Sequence, residues 1–376
     1  MTGTLLRFLM PFPMRGYVHV TRLELEDMKR RAEKQNQLLL LYTRIKRHRE
    51  MIGPPADVDD FLADLSAVYY RNAVRCMRQE VVEQKTRSLL SAEGIPSVLM
   101  RGNAIARDIY CDQYCRVSSD VDILIKEEDL FRADYVLSQN GYIRDDGLPL
   151  KFWVNRIHHA VYHYPGANDF LELHWNFCIP SFFRLSSADI WADTVRVEKN
   201  SYALSPTMNV IQLLLHHYMH AFREPRILTD IIWALHKYED SIDWKRLGEE
   251  IKRIGLLKTA MITLGQISSI CGELAESEAS LSLFRKTVEG LGRRTPRFLN
   301  SFFRMAPEKE HAFQDPRDKL VSRLALDGAG TICHSFLKSL LPMPEDIRQL
   351  YADRRRWMLP LNYSRFIAWR LREWKG

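Results

Sequence analysis

Apolar and charged positions over the first ninety residues recur at helical spacing. Residues 21–50 (TRLELEDMKRRAEKQNQLLLLYTRIKRHRE) are helix formers without Gly or Pro, and predict one long helix stopped by Gly53-Pro54-Pro55. Asp57 to Asp60 can cap a second helix running through Ser91, with Phe61, Leu65, Val68 and Tyr69 at three-to-four spacing and Gly94 past its end. The texture then changes. Ile95 to Met100 is a short apolar strand-like run ending in the Arg101-Gly102-Asn103 turn, followed by a short helix over Ala104–Tyr110 and a polar loop over Cys111–Ser119. Val121 to Ile125 reads as a β-branched strand, and Glu127 to Gln139 as a helix closed by Asn140-Gly141. Ala160–Tyr164, a Pro165-Gly166 turn and Phe170–Trp175 read as a hairpin adjoining the sheet. Ser205 and Pro206 form a helix start, and the remainder is mostly helical. The pattern predicts an α+β protein with a helical segment over 1–92, a small mixed-sheet core over 93–200 and a helical domain over 201–376.

Composition narrows the class. With 376 residues, 46% hydrophobic and 27% charged, the chain can bury a full core and is long enough for two or three folding units. The net charge of +7 and pI near 9.0 suit a protein that handles phosphates, but so mild an excess selects no partner. Six cysteines are too sparse for a secreted disulfide framework, so a reducing, cytoplasmic compartment is expected. Cys111 and Cys115 have no answering pair and read as packed thiols. The opening residues lack a secretion signal, and the longest aliphatic cluster, Leu38 to Tyr42, is far below the ~20 residues of a membrane span.

The chemistry concentrates in three places. On a strand, Asp120 and Asp122 stand on one face with Val121 and Ile123 on the other, and two adjacent carboxylates call for a compensating cation. Hard cations such as Mg²⁺ take oxygen ligands and leave positions for water and phosphate. Glu172, flanked by apolar residues in a second strand, completes a three-carboxylate set if the two strands are neighbours. Paired instead with a buried Arg116 or Arg156, it would be structural. In the Arg101-Gly102-Asn103 turn, Gly102 permits close backbone approach and the following helix N-terminus offers donors to phosphate.

Taken in order, these stretches resemble the polymerase-beta-like nucleotidyltransferase superfamily. The closer match is a bacterial branch of uncharacterised nucleotidyltransferase family proteins, carried by Arg101-Gly102-Asn103-Ala104-Ile105, by Arg116 to Ile125 (RVSSDVDILI), and by Glu172-Leu173-His174-Trp175. The resemblance extends over roughly residues 20–375. It implies that Asp120, Asp122 and Glu172 are catalytic and bind metal, Mg²⁺ or Mn²⁺. It also implies that Arg101, Gly102, Asn103, Arg116 and Ser119 face the nucleotide. The substrate would be a nucleoside triphosphate, with ATP expected, and the acceptor a small molecule, sugar or peptide, as in natural-product or surface-polysaccharide biosynthesis. Two departures stand out: Arg101 replaces the branch's usual Lys, and Asn103 replaces a Ser or second Gly. They motivate the alternative of a nucleotide- or partner-binding protein that has lost turnover. Nucleic acid is not the expected partner, because neither an RNA-binding module nor aromatic-basic interleaving is present.

The remaining candidates carry weaker signals. Arg116 either binds phosphate or neutralises the carboxylates. His174 and His159 are candidates for substrate contact, with His158 beside them. His216, His217 and His220 have metal-like spacing but no acid nearby, so a polar network with Arg226 and Asp230 at a domain interface is expected. The basic C-terminal stretch, Asp353 to Trp357 followed by Ser364 to Lys375, reads as a helix packing Phe366, Ile367, Trp369 and Leu371 on the core.

Overall fold

In a computed structural model of the chain, the described residues are 16–110, 112–145, 157–164, 169–179, 182–272, 274–292, 323–328, 330–333 and 358–373, with positions 5, 8–13, 150, 154, 335, 344 and 347. The predicted helix over 21–50 is two helices, α1 (Arg22–Lys34) and α2 (Leu38–Arg47). The break falls at Asn36, which takes a left-handed φ of 54°, a conformation Asn tolerates better than most residues. The turn lets Leu25, Met28 and Ala32 of α1 and Leu39 to Ile45 of α2 pack separately into the core. Around this segment β1 (Val18–His19) and β2 (Ile52–Gly53) pair in parallel. The long helix α3 (Pro55–Ala92) starts on a proline, whose missing N–H is no loss in a first turn.

The main sheet is built from β3 (Ser97–Met100), β4 (Asp120–Ile125), β5 (Ile143–Arg144), β6 (His159–His163), β7 (Phe170–His174), β8 (Thr194–Glu198) and β9 (Ser201–Leu204). Its order is β5-β6-β7-β4-β3-β9-β8, with β4/β7 and β3/β9 parallel and the other pairs antiparallel. Helices α4 (Arg101–Ile109) and α5 (Leu130–Gln139) follow β3 and β4, and α6 (Ser187–Ala192) precedes β8. The β8–β9 hairpin has no counterpart in the sequence reading. Thr194 to Glu198 alternates apolar and polar residues, but Val195 and Val197 are both exposed, so no buried face accompanies the pattern.

Alternation elsewhere sorts the sheet into two faces. Val121, Ile123 and Ile125 of β4 pack with Leu171 and Leu173 of β7 under Leu90 of α3 and Leu130, Ala133 and Leu137 of α5. Val98, Met100 and Leu124 turn to the opposite face and join the larger core. That core takes in α7 (Pro206–Met219), α8 (Pro225–Lys237), α9 (Trp244–Ile254), α10 (Leu257–Cys271) and α12 (Ala279–Glu289), with the short α11 (Leu274–Ser277) between the last two. As expected, Ser205 caps α7, its hydroxyl accepting the Met208 N–H at 3.1 Å, with Pro206 at the first helical position. Near the C-terminus lies α13 (Leu359–Glu373), where Phe366 is buried and Ile367 exposed. Asp353 to Trp357 and the side chains of Trp369 and Leu371 fall outside the described residues, as do Cys111 and Arg156. Cys76, Cys115, Cys178 and Cys271 are buried free thiols, and Cys333 is exposed. No helix among the described residues is long and apolar enough to cross a membrane.

Candidate active site

Strand register brings the acidic residues together. In the parallel β4/β7 pair Asp122 stands opposite Glu172 and Leu124 opposite His174, so Asp120, Asp122, Glu172 and His174 share one face. Donor atoms of Asp122, Glu172 and His174 all lie within 4.8 Å of one another. The His174 Nε2 is 2.7 Å from Asp122 Oδ1 and 3.2 Å from Glu172 Oε2. Glu172 therefore pairs with histidines rather than with Arg116. His159, opposite His174 in the β6/β7 pair, places Nε2 3.8 Å from Glu172 Oε2, and His158 lies beside it.

The turn between β3 and α4 closes the other side. Arg101 and Gly102 both adopt positive φ, 44° and 40°. A Cβ on Gly102 would come within 2.7 Å of Ser118 Oγ, so both backbone conformation and space call for glycine. The strained turn points the Arg101 guanidinium across the acidic face. Its Nη2 is 2.7 Å from Asp122 Oδ1 and 2.7 Å from His174 Nε2, while Nη1 donates to His216 Nδ1 at 3.0 Å. Asn103 is buried, and its amide donates to Gln79 Oε1 of α3 at 2.9 Å. Gln79 in turn donates to the Ser118 carbonyl and to Asp169, tying α3, the turn and the segment before β4 together.

These contacts split the three carboxylates electrostatically. Burial disfavours the charged form of Asp122, but Arg101 and His174 outweigh it and hold the pKa below the ordinary value. The same contest lowers Glu172, with the His174 hydrogen bond as the main opposing effect. Burial and Arg101 work against the His174 imidazolium, yet Asp122 and Glu172 raise its pKa. Asp120 goes the other way: burial, then the charges of Asp122 and Glu172, push its pKa up. Among the described residues, only the hydroxyls of Ser118 and Ser119 donate to its carboxylate, at 3.2 and 3.1 Å. Burial also lowers His158 well below the usual imidazole value and His159 to about 4.

Arg116 lies apart from the acidic face. It is buried against Asp230 of α8, donating from Nη2 at 2.9 Å and from Nε at 3.1 and 3.2 Å, and Tyr110 donates to the same carboxylate at 2.6 Å. Arg226 donates to the Val117 carbonyl, and His217 Nδ1 lies 3.1 Å from Thr263 Oγ1. The His216 and His220 rings lie 4.4 Å apart, and the hydrogen bond from Arg101 to His216 links this helix to the acidic face. Gln79 and Ser118 were not singled out from sequence, although polar Asn72, Gln79, Glu83 and Thr86 occupy buried, helically spaced positions of α3 that an apolar stripe would fill.

Beyond Arg101 the sheet opens. β3 and β9 pair only at Ser97–Ser201 and Val98–Tyr202. A cleft of about 450 Å³ lies where they part, lined by Arg101, Arg107, Tyr202, Asn209 and Tyr238 among others. The acidic face of the mixed sheet, the glycine turn and the cleft thus meet at Arg101. The sequence profile of a family described as Uncharacterised nucleotidyltransferase matches residues 23–272, from α1 through α10. The chain belongs to this nucleotidyltransferase family. No curated protein and no solved structure matches it.

Proposed function

We propose that the chain is a metal-dependent nucleotidyltransferase that moves NMP from a nucleoside triphosphate, ATP being the expected one, to a hydroxyl of a small-molecule, sugar or peptide acceptor. The observation that carries this reading is the β4/β7 register, with Asp122 opposite Glu172 and Asp120 on the same face. Three carboxylates against one guanidinium leave two negative charges when His174 is neutral, and Asp120 lacks a cationic partner among the described residues. Oxygen ligands on one face suit Mg²⁺ or Mn²⁺ at Asp120 and Asp122, with Glu172, whose donor atom lies within 4.8 Å of one on Asp122, beside them. Such a cation supplies Lewis-acid polarisation of the phosphoryl oxygens.

The chain's own residues do the rest. Gly102 lets the backbone approach the triphosphate, and Ser119 and Arg101 offer a hydroxyl and a positive charge to its oxygens. Arg101 would exchange Asp122 for phosphate on binding. Glu172, held on the acidic face by His174, accepts the proton of the attacking hydroxyl as the new bond to phosphorus forms. The acceptor oxygen bonds to the α-phosphorus, the bond to the bridging oxygen breaks, and pyrophosphate leaves. The cleft past Arg101 is the acceptor side of this reading. The test is transfer of label from α-³²P-NTP to a component of a cell extract, lost in Asp122→Asn. Label that stays in NTP under every condition would reject it.

One observation favours the second reading, a nucleotide-binding protein without turnover: the Arg101 guanidinium already satisfies Asp122. ATP binding without pyrophosphate release would select it.

A further inference from the structure

We propose that His158, His159 and His174 form a site for a borderline divalent transition metal, best matched by Zn²⁺, on the flank of the acidic face. The proposal does not depend on the nucleotidyl-transfer reading. Nitrogen donors from all three imidazoles lie within 4.8 Å of one another. Strand register explains two of them, because His159 of β6 stands opposite His174 of β7. His158 would point to the other face of a regular strand. It lies just before β6, where its carbonyl accepts the Trp175 N–H at 3.0 Å and the Asn176 N–H at 3.4 Å. Its ring thereby meets the other two, with centroids 4.6 Å from His159 and 5.7 Å from His174.

Donor geometry points to one set of atoms. His158 Nε2 and His159 Nδ1 are 3.3 Å apart. Two nitrogens on a tetrahedral ion at ~2.0–2.1 Å are separated by about that distance. His159 Nε2 is then the outer nitrogen and faces Glu172 Oε2 at 3.8 Å. The outer nitrogen of His174 is likewise Nε2, held by Asp122 and Glu172 at 2.7 and 3.2 Å, which leaves Nδ1 for the ion. Carboxylates behind the outer nitrogens of ligating histidines fix tautomer and ring orientation in metal centres. Arg101 Nη2, now 2.7 Å from Nε2 and 3.4 Å from Nδ1 of His174, swings aside for the ion. Three imidazoles select Zn²⁺ or Co²⁺ over Mg²⁺, which prefers oxygen, and three protein ligands leave a coordination position open.

Cobalt provides the probe. Co²⁺ is titrated into the metal-free full chain without nucleotide and followed by visible absorption, which is strong for four-coordinate nitrogen-ligated cobalt and weak for octahedral oxygen-ligated cobalt. One equivalent should give a strong band that Zn²⁺ displaces, that Asp120→Asn retains, and that His158→Gln/His159→Gln abolishes. Zn²⁺ affinity in that double variant, which loses two of three ligands, should fall by more than the ~10–100-fold that loss of an outer-shell partner costs. A weak band only, or a strong band surviving the double variant, overturns the proposal. X-ray absorption of the zinc-loaded wild type needs no variant: three imidazoles are expected around the metal, and an oxygen-only shell overturns the site.

Discussion

Replacing Asp230 by Ala removes the one carboxylate paired with Arg116 among the described residues. Both partners are buried, Arg116 at 5% exposure and Asp230 at 0%, so solvent cannot take over. Burial opposes the charge of Arg116 and Asp230 outweighs it, raising the pKa; without Asp230 that support goes, but a guanidinium is so strong a base that it stays ionised. Stranding a buried charge in this way costs about 3–5 kcal/mol. Loss of the acceptor for the Tyr110 hydroxyl acts on the same network, so its own ~1–3 kcal/mol is not simply additive. Against a typical total of ~5–15 kcal/mol, the variant should unfold at much lower urea concentration. Trp233 packs against Tyr110 with ring centroids 4.9 Å apart, so tryptophan fluorescence can follow the unfolding. Replacing both partners, Arg116→Met/Asp230→Leu, should recover most of the loss, because the desolvation penalty goes with the pair. A loss below about 1 kcal/mol in Asp230→Ala, or a double variant as unstable as the single, would refute the claim that this pair anchors the segment leading into Asp120.

Gly102→Ala places a methyl group 2.7 Å from Ser118 Oγ at a φ of 40°, and should cost about 1–3 kcal/mol, read as a lower midpoint in thermal denaturation. Stability should fall on acidification. Burial holds His217 down to about 3, whereas an unfolded imidazole takes up its proton near 6.5. Below pH 6.5 the unfolded chain therefore binds more protons, and this histidine removes about 2 kcal/mol by pH 5. Urea titrations between pH 7 and 5 check it, and His217→Gln should flatten the slope. Arg101→Lys should keep nucleotide binding within about tenfold, while Arg101→Met should weaken it further, as equilibrium dialysis with ATP and Mg²⁺ would report.

Strong local signals were readable in the chain. The Asp120/Asp122 alternation and the Ser205-Pro206 helix start each follow from one short segment, the α+β class from the order of elements along the chain, and the structure has all three. The break at Asn36 was hidden, because helix formers flank it on both sides and the cause is packing of two separate stripes. That Glu172 lies beside Asp122 depends on strand order, which no single segment contains. The same holds for Arg116, whose partner Asp230 is over a hundred residues away. His158 escapes periodicity altogether, since a backbone bend rather than strand alternation turns it toward His159.

Pyrophosphate release tests the central claim most directly. Each nucleoside triphosphate is supplied with Mg²⁺ or Mn²⁺ and a cell extract as acceptor source, beside Asp120→Ala/Asp122→Ala. The account predicts release by the wild type with at least one nucleotide and none above the extract's own background in the double variant. Wild-type release no higher than that of the double variant, with nucleotide binding retained, would contradict it.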